Sequence, residues 1–358
     1  MSFEDKLRKI KPYVAGEQPQ QDNVIKLNTN ENPYPPAPEV QEKSREFVTD
    51  ILKKYPDPDI HLLNAALAKY HGVDESRVFS GVGSDDVLSV AFLSFFDSDL
   101  PILFPDITYA FYPVWATLYR IPFTEIPLDE NFRIRPEDYY GDVKPNGGVV
   151  IANPNAPTSI AESAAFIEDI IRHNPDSVVV VDEAYVDFGA ESVLELTEKY
   201  ENLLVVRTFS KSRSMAGIRI GYAVGSPKLI ATMNAVKQSI NSYTMNHITI
   251  ALGVASVEDE SYFREVLAKV TKTREAAKER LRAMGFIVPD SKTNFLFAEY
   301  PGVPGEYIFT ELKKRNIYVR WWPKERIKNR LRITIGTDAE METVYKEIEK
   351  IVEAYKNR

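Results

Sequence analysis

Between residues 60 and 225, short apolar runs alternate with stretches of helical pattern. The runs are Val78–Phe79, Ile102–Phe104, Val149–Ala152, Val178–Val181 and Leu203–Val206. Apolar runs of this length, bounded by polar or turn residues, are typical of strands buried in a parallel sheet. Strands that alternate with helices indicate a mostly parallel sheet that is covered by helices on both faces. The sequence therefore predicts an α/β fold for the central part of the chain.

Three residues with ionisable side chains follow two of these apolar runs. Asp182 comes directly after Val178–Val181. The segment after Leu203–Val206 carries Lys211 and, eight residues later, Arg219. In open α/β sheets, ligand-binding groups lie just beyond the carboxyl ends of the strands. A lysine, a carboxylate and a guanidinium are the groups that hold the aldehyde, the ring nitrogen and the phosphate of pyridoxal phosphate. The three groups together therefore predict a pyridoxal-phosphate site. Taken singly, Lys211 also fits a solvated surface, and Asp182 also fits a pairing with an arginine or a helix N-terminus.

Three further motifs each allow two interpretations. Gly81–Asp86 precedes an expected helix over Val87–Phe95; it fits either a phosphate-binding helix start, where free N–H groups favour an anion, or a plain tight turn. Tyr109 follows another strand and fits either stacking on a planar ligand or packing in the core. In Asn153–Thr158, prolines hold the asparagine side chains at a rigid loop, where they face a ligand or satisfy the turn backbone.

The two ends of the chain differ in pattern from its centre. Residues 1–45 are rich in Pro, Asn and Gln and are expected to form an irregular arm. We expect residues 46–250 to form a large domain, and residues 251–358 to form a smaller α/β domain together with the arm. Further expected elements are a helix over Pro38–Lys54, long helical segments within 225–285, strands at Asn294–Ala298 and Leu331–Ile335, and a final helix with a capping box between Thr337 and Glu340.

Composition and charge exclude several classes of protein. A net charge of −8 gives no basic surface for nucleic acid or an anionic membrane. No apolar stretch approaches the ~20 residues that span a bilayer, and the first residues lack the apolar core of a signal peptide. The chain has no cysteine, which excludes disulfides and thiolate zinc sites, and its four histidines show no metal-ligand spacing. We therefore expect a cytoplasmic protein that acts on small molecules without a metal.

Taken together, the motifs resemble those of the fold-type I pyridoxal-phosphate-dependent aminotransferases, in their class II family. The resemblance extends from Tyr13 to the last helix, and its most specific pieces are Leu27–Pro33, Tyr55–Pro58, Gly81–Asp86, Asp182–Tyr185, Ser210–Arg219 and Leu331–Thr337. It implies a large domain with a mostly parallel sheet between helices, and a smaller α/β domain. It also implies a homodimer whose active sites are shared between the subunits.

The resemblance also assigns roles to individual residues. It implies that Lys211 bonds the cofactor and moves a proton, that Asp182 pairs with the ring nitrogen, and that Tyr185 bonds the ring hydroxyl. The other cofactor contacts that it implies are Gly83, Ser84, Asp85, Tyr109, Asn155, Ser210, Arg219 and, from the second subunit, Tyr55. The residues that it places next to the substrate are Tyr13, Asn32, Arg320 and Arg332, of which the two arginines suit a phosphate or a carboxylate.

The chain departs from the pattern of this family at two places. Ala156 and Ser159 stand where the family usually has the second asparagine and the glycine of an NPNNPTG loop. Either Asn155 replaces the missing asparagine, or Tyr185 holds the ring hydroxyl alone. The second departure is a pair of tryptophans directly after Arg320, which either line the mouth of the substrate site or pack the smaller domain.

The activity that the resemblance implies is amino transfer from L-histidinol phosphate to 2-oxoglutarate, a step of histidine biosynthesis. Aromatic amino acids as donors, and decarboxylation of threonine phosphate, are alternatives that keep the cofactor. A non-catalytic ligand-binding module is an alternative of another class. The intact pair of Lys211 and Asp182 opposes this last alternative, as do the net charge of −8 and the lack of a basic DNA-binding segment.

Overall fold

Helices and strands alternate through the centre of the chain, as the sequence predicts. The computed structural model describes residues 2–358. The strands are β1 (Ile25–Lys26), β2 (Val78–Gly81), β3 (Ile102–Pro105), β4 (Phe123–Ile126), β5 (Gly148–Ala152), β6 (Val179–Asp182), β7 (Leu203–Thr208), β8 (Gly221–Gly225), β9 (Phe295–Glu299), β10 (Ile317–Tyr318) and β11 (Arg330–Thr334). The helices are α1 (Pro38–Arg45), α2 (His61–His71), α3 (Ser84–Phe95), α4 (Tyr112–Tyr119), α5 (Ala164–Arg172), α6 (Pro227–Ile240), α7 (His247–Glu258), α8 (Glu260–Ala283), α9 (Gly305–Lys313) and α10 (Asp338–Lys356). Across this described range, no helix combines the length and the apolar character that a membrane crossing needs.

A seven-stranded sheet in the order β2-β8-β7-β6-β5-β3-β4 forms the centre of the protein. The five strands β7, β6, β5, β3 and β4 run parallel to one another. β8 is antiparallel to both β7 and β2. The prediction of a mostly parallel sheet is therefore confirmed. Asp182 at the end of β6 is in register with Val206 of β7. The segments that follow these two strands consequently leave the same edge of the sheet.

Both faces of this sheet are covered by helices. On β5, Val149 and Ile151 pack into one apolar cluster, and Val150 between them packs into another. The first cluster contains residues of α2, α5 and α7, and the second contains residues of α3, α4 and α6. Successive side chains of a strand point to opposite faces. A strand that is buried on both faces is therefore apolar at every position, which is why these strands form unbroken apolar runs in the sequence.

A second group of elements joins the two ends of the chain. β1, which lies in the arm, pairs in parallel with β10. β9 pairs antiparallel with β11. Leu27 of the arm packs into the same apolar cluster as residues of α8, α9 and α10. The last of these helices begins with the predicted capping box between Thr337 and Glu340. We propose that these elements form the smaller domain, with the predicted boundary after residue 45. The predicted boundary after residue 250 falls inside α7, which packs on the central sheet, so we place the second boundary after α7.

The helix expected over Pro38–Lys54 is wrong in its length. α1 ends at Arg45, and Val48 is extended, with φ −92° and ψ 115°. Val48 and Thr49 are β-branched, and such residues lose side-chain freedom in a helix. The chain resumes only as a short 3₁₀ turn before it reaches α2.

The sequence pattern does not predict β1, β4, β8 or β10. Two of these strands, β1 and β10, are two residues long, which is too short for any periodicity. In β4 the first three residues are exposed, so the strand lacks an apolar run. In β8 glycines stand at both ends of the strand, and glycine disfavours a strand assignment.

Candidate active site

A cavity of about 480 Å³ lies at the carboxyl ends of the central strands. It is bounded by the ends of β5 and β6, the segment after β7, the start of α3, the N-terminal arm and two arginines near the C-terminus. The predicted site residues that line it are Tyr13, Ser84, Asp85, Tyr109, Asp182, Tyr185, Ser210, Lys211, Arg219, Arg320 and Arg332. The structure thus brings together most of the residues that the sequence predicts for one site.

The amine of Lys211 is held inside this cavity. Its Nζ donates to Thr29 O at 3.1 Å and lies 5.8 Å from the centre of the Tyr185 ring. Burial, together with the positive charge of Arg332, lowers the pKa of Lys211 to about 8. A neutral amine is therefore accessible near physiological pH, as a nucleophile or a proton acceptor requires.

Asp182 is a buried carboxylate whose hydrogen-bond donors are neutral. The hydroxyl of Tyr112 donates to Oδ2 at 2.8 Å, and the N–H of Ala184 donates to Oδ1 at 3.1 Å. Burial raises the pKa of Asp182 to about 6, although the Tyr112 hydroxyl acts in the opposite direction. A charge in this position is costly without a cation beside it. The site therefore favours a ligand that carries positive charge next to Asp182.

The glycine loop before α3 and the side chain of Arg219 form one wall. Gly83 has φ +90°, and an added Cβ there would lie 2.4 Å from Arg219 Nη2, so this position requires glycine. Gly83 provides no side chain to cap α3, which leaves N–H groups of the first turn available to an anion. The sequence predicts that this helix begins at Val87. In the structure α3 begins at Ser84, because the chain enters the helix directly after Gly83. Arg219 Nη2 lies 3.5 Å from Asp85 Oδ2.

Aromatic side chains form another wall. Tyr109 donates from its hydroxyl to Asp85 Oδ1 at 2.7 Å, and burial raises its pKa well above the usual value, so the hydroxyl stays protonated. The ring of Tyr13 stacks on Phe111, with 4.2 Å between centroids, and lies 6.3 Å from the ring of Tyr109. Tyr109 therefore faces the cavity as predicted, and Tyr13 joins it from the arm.

Asn30 is a site residue that the sequence analysis missed. Its Nδ2 donates to the hydroxyl oxygen of Tyr185 at 2.8 Å, and its Oδ1 accepts from Thr334 Oγ1 at 3.0 Å. Asn30 has φ +58°, a left-handed conformation that asparagine tolerates better than most residues. The density of turn-forming residues around Asn30 was the available signal, but it indicated a turn and not a partner for Tyr185.

The structure does not bring Asn155 into the cavity. Its Nδ2 donates to Ile107 O at 2.9 Å and to Thr158 Oγ1 at 3.0 Å, and its Oδ1 accepts from Thr108 Oγ1 at 2.8 Å. Both ends of the amide are thus used within the loops. The loop residues that line the cavity are Pro154 and Ala156, so Asn155 does not replace the missing asparagine in this geometry.

Asn32, predicted to face the substrate, instead holds the backbone of the lysine segment. Its Nδ2 donates to Lys211 O at 3.0 Å and to Ser212 O at 3.3 Å, and its Oδ1 accepts from the N–H of Tyr34 at 3.1 Å. Asn32 is not among the residues that line the cavity. The geometry therefore gives Asn32 an indirect role, in which it orients Lys211.

The two predicted substrate arginines lie side by side at the cavity. Arg320 donates to Val14 O at 2.8 Å and to Ala15 O at 3.2 Å, both in the arm. Arg332 donates to Asn28 O at 2.8 Å, and its buried Nε–H has no hydrogen-bond partner within residues 2–358. Buried donors of this kind are normally satisfied. A bound anion would satisfy this one.

Comparison with known proteins identifies the family. The model of the family described as aminotransferase class I and II matches residues 22–348. This chain belongs to that family. Among class I and II aminotransferases, it is 49% identical over 358 residues to the histidinol-phosphate aminotransferase of Lactococcus lactis subsp. cremoris, covering 100% of this chain and 99% of that protein.

Two further aminotransferases agree with this match. Over 335 residues the chain is 51% identical to the histidinol-phosphate aminotransferase of Acinetobacter baumannii, covering 93% of this chain and 92% of that protein. The crystal structure of the histidinol-phosphate aminotransferase from Sinorhizobium meliloti in complex with pyridoxal-5'-phosphate superposes with a TM-score of 0.84. Its sequence identity is 25%, with 92% of this chain and 91% of that chain covered. The predicted family and fold are confirmed.

Tyr55 is another predicted cofactor contact that does not line the cavity of this aminotransferase chain. It is 78% exposed, and its ring stacks on Tyr243 with 4.5 Å between centroids. A role in the active site of this same chain is therefore not supported. The predicted contact with the cofactor of a second subunit requires an exposed position, and Tyr55 has one.

Ser159, which replaces the usual glycine of the aminotransferase loop, adopts the conformation that favours glycine. Its φ is +66°, its side chain is fully buried, and its Oγ has no hydrogen-bond partner within residues 2–358. We expect Ser159→Gly to raise the free energy of unfolding by about 1 kcal/mol, because it removes both the left-handed strain and the unpaired hydroxyl. Urea unfolding followed by circular dichroism measures this change.

Ser163→Gly is the matched control for this substitution. Ser163 caps α5 by accepting a hydrogen bond from the N–H of Phe166 at 3.2 Å. Its replacement by glycine is expected to lower stability by a few tenths of a kcal/mol. A loss of stability in Ser159→Gly as well would show that the buried hydroxyl is needed and would contradict the prediction.

Proposed function

We propose that this aminotransferase transfers the amino group of L-histidinol phosphate to 2-oxoglutarate, with pyridoxal phosphate as its cofactor. The products are imidazole-acetol phosphate and glutamate. The observation that carries the proposal is the placement of Lys211 and Asp182 in one cavity with two adjacent guanidinium groups, those of Arg320 and Arg332. The relatives at 49% and 51% identity, which are named for this donor, support the same substrate.

The residues present fit pyridoxal phosphate. The buried Asp182, with neutral donors and a raised pKa, suits the protonated ring nitrogen. The uncapped start of α3 and the guanidinium of Arg219 suit a phosphate. Lys211 has the lowered pKa that covalent attachment to an aldehyde requires. When bound, pyridoxal phosphate supplies an electron-withdrawing ring that stabilises negative charge on the substrate carbon that bears the amino group.

Residues of the chain carry out proton transfer and hold the reacting groups in position. The Nζ of Lys211 would take a proton from the substrate carbon that bears the amino group and deliver it to the cofactor, because its pKa of about 8 allows both protonation states near neutral pH. Asp182 keeps the ring nitrogen protonated, which maintains the withdrawal of electrons. Asn30 orients the hydroxyl of Tyr185 through the hydrogen bond of 2.8 Å. Asn32 fixes the backbone from which the lysine extends.

The two arginines explain how one site accepts two different anions. The donor carries a phosphate, and the acceptor carries a side-chain carboxylate in the corresponding place. The planar fork of a guanidinium group pairs with either anion through two parallel hydrogen bonds. Arg320 and Arg332 are both anchored to carbonyl groups of the arm. The arm therefore contributes to substrate binding by fixing these side chains.

A comparison of amino donors tests this proposal. Initial rates with 2-oxoglutarate are measured for L-histidinol phosphate, L-phenylalanine and O-phospho-L-threonine, with glutamate as the detected product. The proposal predicts the highest kcat/KM with L-histidinol phosphate. A higher value with phenylalanine would assign the enzyme to the aromatic amino acids. Release of carbon dioxide from O-phosphothreonine without glutamate would assign it to decarboxylation.

We also propose that the active enzyme is a homodimer with shared sites. Several exposed apolar side chains belong to the segments next to Tyr55, which are the 3₁₀ turn before α2 and the start of α2, and to the end of α6, after which Tyr243 stacks on Tyr55. They are Val48, Ile51, Leu52, Leu62, Ile240 and Tyr243, which range from 42% to 72% exposed. Such a concentration of exposed apolar residues marks a surface that another protein covers. A second copy of the chain fits, because it would also place Tyr55 at the neighbouring active site.

Leu52→Asp is expected to convert the dimer into an inactive monomer. Leu52 is 58% exposed in the single chain, and a buried carboxylate without a partner costs several kcal/mol at an interface. Sedimentation velocity measures the mass, and the transamination assay measures the activity. Val143→Asp is the control, because Val143 is 77% exposed but lies in the turn before β5. A Leu52→Asp variant that stays dimeric would refute this interface.

A further inference from the structure

The two tryptophans that follow Arg320 have different surroundings. Trp321 stacks on Phe309 with 5.8 Å between centroids, and its Nε1–H donates to a backbone carbonyl at 2.6 Å. Trp322 lies against the guanidinium groups of Arg320 and Arg332. The alternation of an extended chain explains this difference, because residues two apart point to the same side. The second tryptophan thus shares a side with the arginines, and the first does not.

Arg320 and Arg332 are direct neighbours across a β-bridge. The N–H of Arg320 donates to Arg332 O at 3.0 Å, and the N–H of Arg332 donates to Arg320 O at 2.9 Å. Like charges in such a pair repel each other. The Cζ atoms of the two arginines lie 5.5 and 5.3 Å from the ring centre of Trp322, within the range of cation–π attraction. One indole ring therefore attracts both cations and offsets their repulsion.

Trp322 also borders the space that substrates enter. It lines a smaller pocket of about 70 Å³. Five residues line both this pocket and the main cavity: Tyr13, Tyr109, Ala156, Tyr185 and Arg332. An indole ring in this position either holds the arginines or contacts the aromatic part of a donor. Its contact with both guanidinium groups favours the first role. Trp321, directed at Phe309, takes no part in either space.

We propose that Trp322 is a positioning residue of the anion site, whose ring fixes Arg320 and Arg332 in the arrangement that accepts a phosphate or a carboxylate. This inference takes its substrates, L-histidinol phosphate and 2-oxoglutarate, from the proposed function. Trp322 acts on the anionic end of each substrate through the arginines and leaves the reacting carbon alone. Its loss therefore weakens the binding of both substrates and leaves kcat nearly unchanged.

The test compares the wild type with Trp322→Leu and with the matched control Trp321→Leu, each as the holoenzyme. Trp322→Leu is expected to raise KM for L-histidinol phosphate and Kd for 2-oxoglutarate by about threefold to thirtyfold, the range that cation–π contacts supply. The calorimetric Kd for L-histidinol, which lacks the phosphate, is expected to stay at the wild-type value. Trp322→Phe keeps an aromatic face and is expected to fall between the wild type and Trp322→Leu.

Two results would overturn this role. If Trp322→Leu weakened the binding of L-histidinol as much as that of L-histidinol phosphate, the ring would contact the imidazole of the ligand instead of positioning the arginines. An equal effect of Trp321→Leu would show a general loosening of the smaller domain. If the wild type does not turn over L-histidinol phosphate, the proposed donor fails. The Kd for 2-oxoglutarate in the Trp322 variants then still decides the role of Trp322.

Discussion

Replacing Lys211 by alanine is expected to lower the rate of amino transfer by about ten-thousand-fold, as the loss of a proton-transferring nucleophile implies. The amine of Lys211 lies in the cavity with a lowered pKa, and its side chain donates a hydrogen bond to Thr29 O. Removing this amine therefore removes the nucleophile and proton acceptor of the site and changes the packing little. Single-turnover absorbance with L-histidinol phosphate measures the rate. Circular dichroism confirms that the variant is folded.

Two controls separate chemistry from structure at this position. Lys211→Arg keeps a cation of similar length but cannot present a neutral amine, because a guanidinium stays protonated in proteins; it is expected to be as inactive as Lys211→Ala. A small primary amine such as methylamine, added to Lys211→Ala, is expected to restore part of the rate in proportion to its concentration. Undiminished amino transfer by Lys211→Ala would refute the role of this lysine.

Asp182→Asn is expected to lower kcat/KM by about a hundredfold to five-thousandfold. The substitution keeps the size of the side chain and removes a buried charge, and the loss of one partner from a buried ion pair costs about 3–5 kcal/mol. In this site the lost partner is the one that keeps the ring nitrogen protonated. Steady-state kinetics with saturating pyridoxal phosphate measures the effect. An Asp182→Asn variant with nearly wild-type kcat/KM would contradict the assignment.

Tyr112→Phe is the matched control for the aspartate. It removes the hydroxyl that donates to Asp182 Oδ2 at 2.8 Å and leaves the carboxylate in place. The hydroxyl lowers the pKa of Asp182, so its loss raises that pKa and weakens the charge to a smaller extent. The expected decrease in kcat/KM is about tenfold, the effect of one hydrogen bond. A larger decrease than that of Asp182→Asn would mean that Tyr112 acts mainly on the structure.

The parts of the fold and site that the sequence predicts are those that follow from local pattern. β5, β6 and β7 are buried on both faces, so each forms an apolar run that the sequence displays directly. Asp182 and Lys211 are found because they follow such runs, and the ends of adjacent parallel strands meet at one edge. The sequence pattern does not predict β8, because glycines at both of its ends disfavour a strand assignment, although β8 pairs with a strand on each side.

The parts that the sequence does not predict depend on contacts between distant residues. Asn30 donates to Tyr185 across 155 positions, and Tyr112 donates to Asp182 across 70 positions. No local pattern records such pairs. Asn155 shows the converse: its place in a recognisable loop predicts a cofactor contact, whereas its amide is hydrogen-bonded to neighbouring loop groups. Residue type and spacing identify the site, whereas the fold decides which partner each side chain has.

A visible absorbance titration of the purified holoenzyme with L-histidinol phosphate tests the central claim most directly. We expect the band of lysine-bound pyridoxal phosphate to be replaced by that of the pyridoxamine form, and 2-oxoglutarate to restore the original band. This cycle requires the cofactor, the donor and the acceptor together. A cofactor band that L-histidinol phosphate leaves unchanged would contradict the proposed donor, and the failure of added pyridoxal phosphate to produce any band would contradict the enzyme itself.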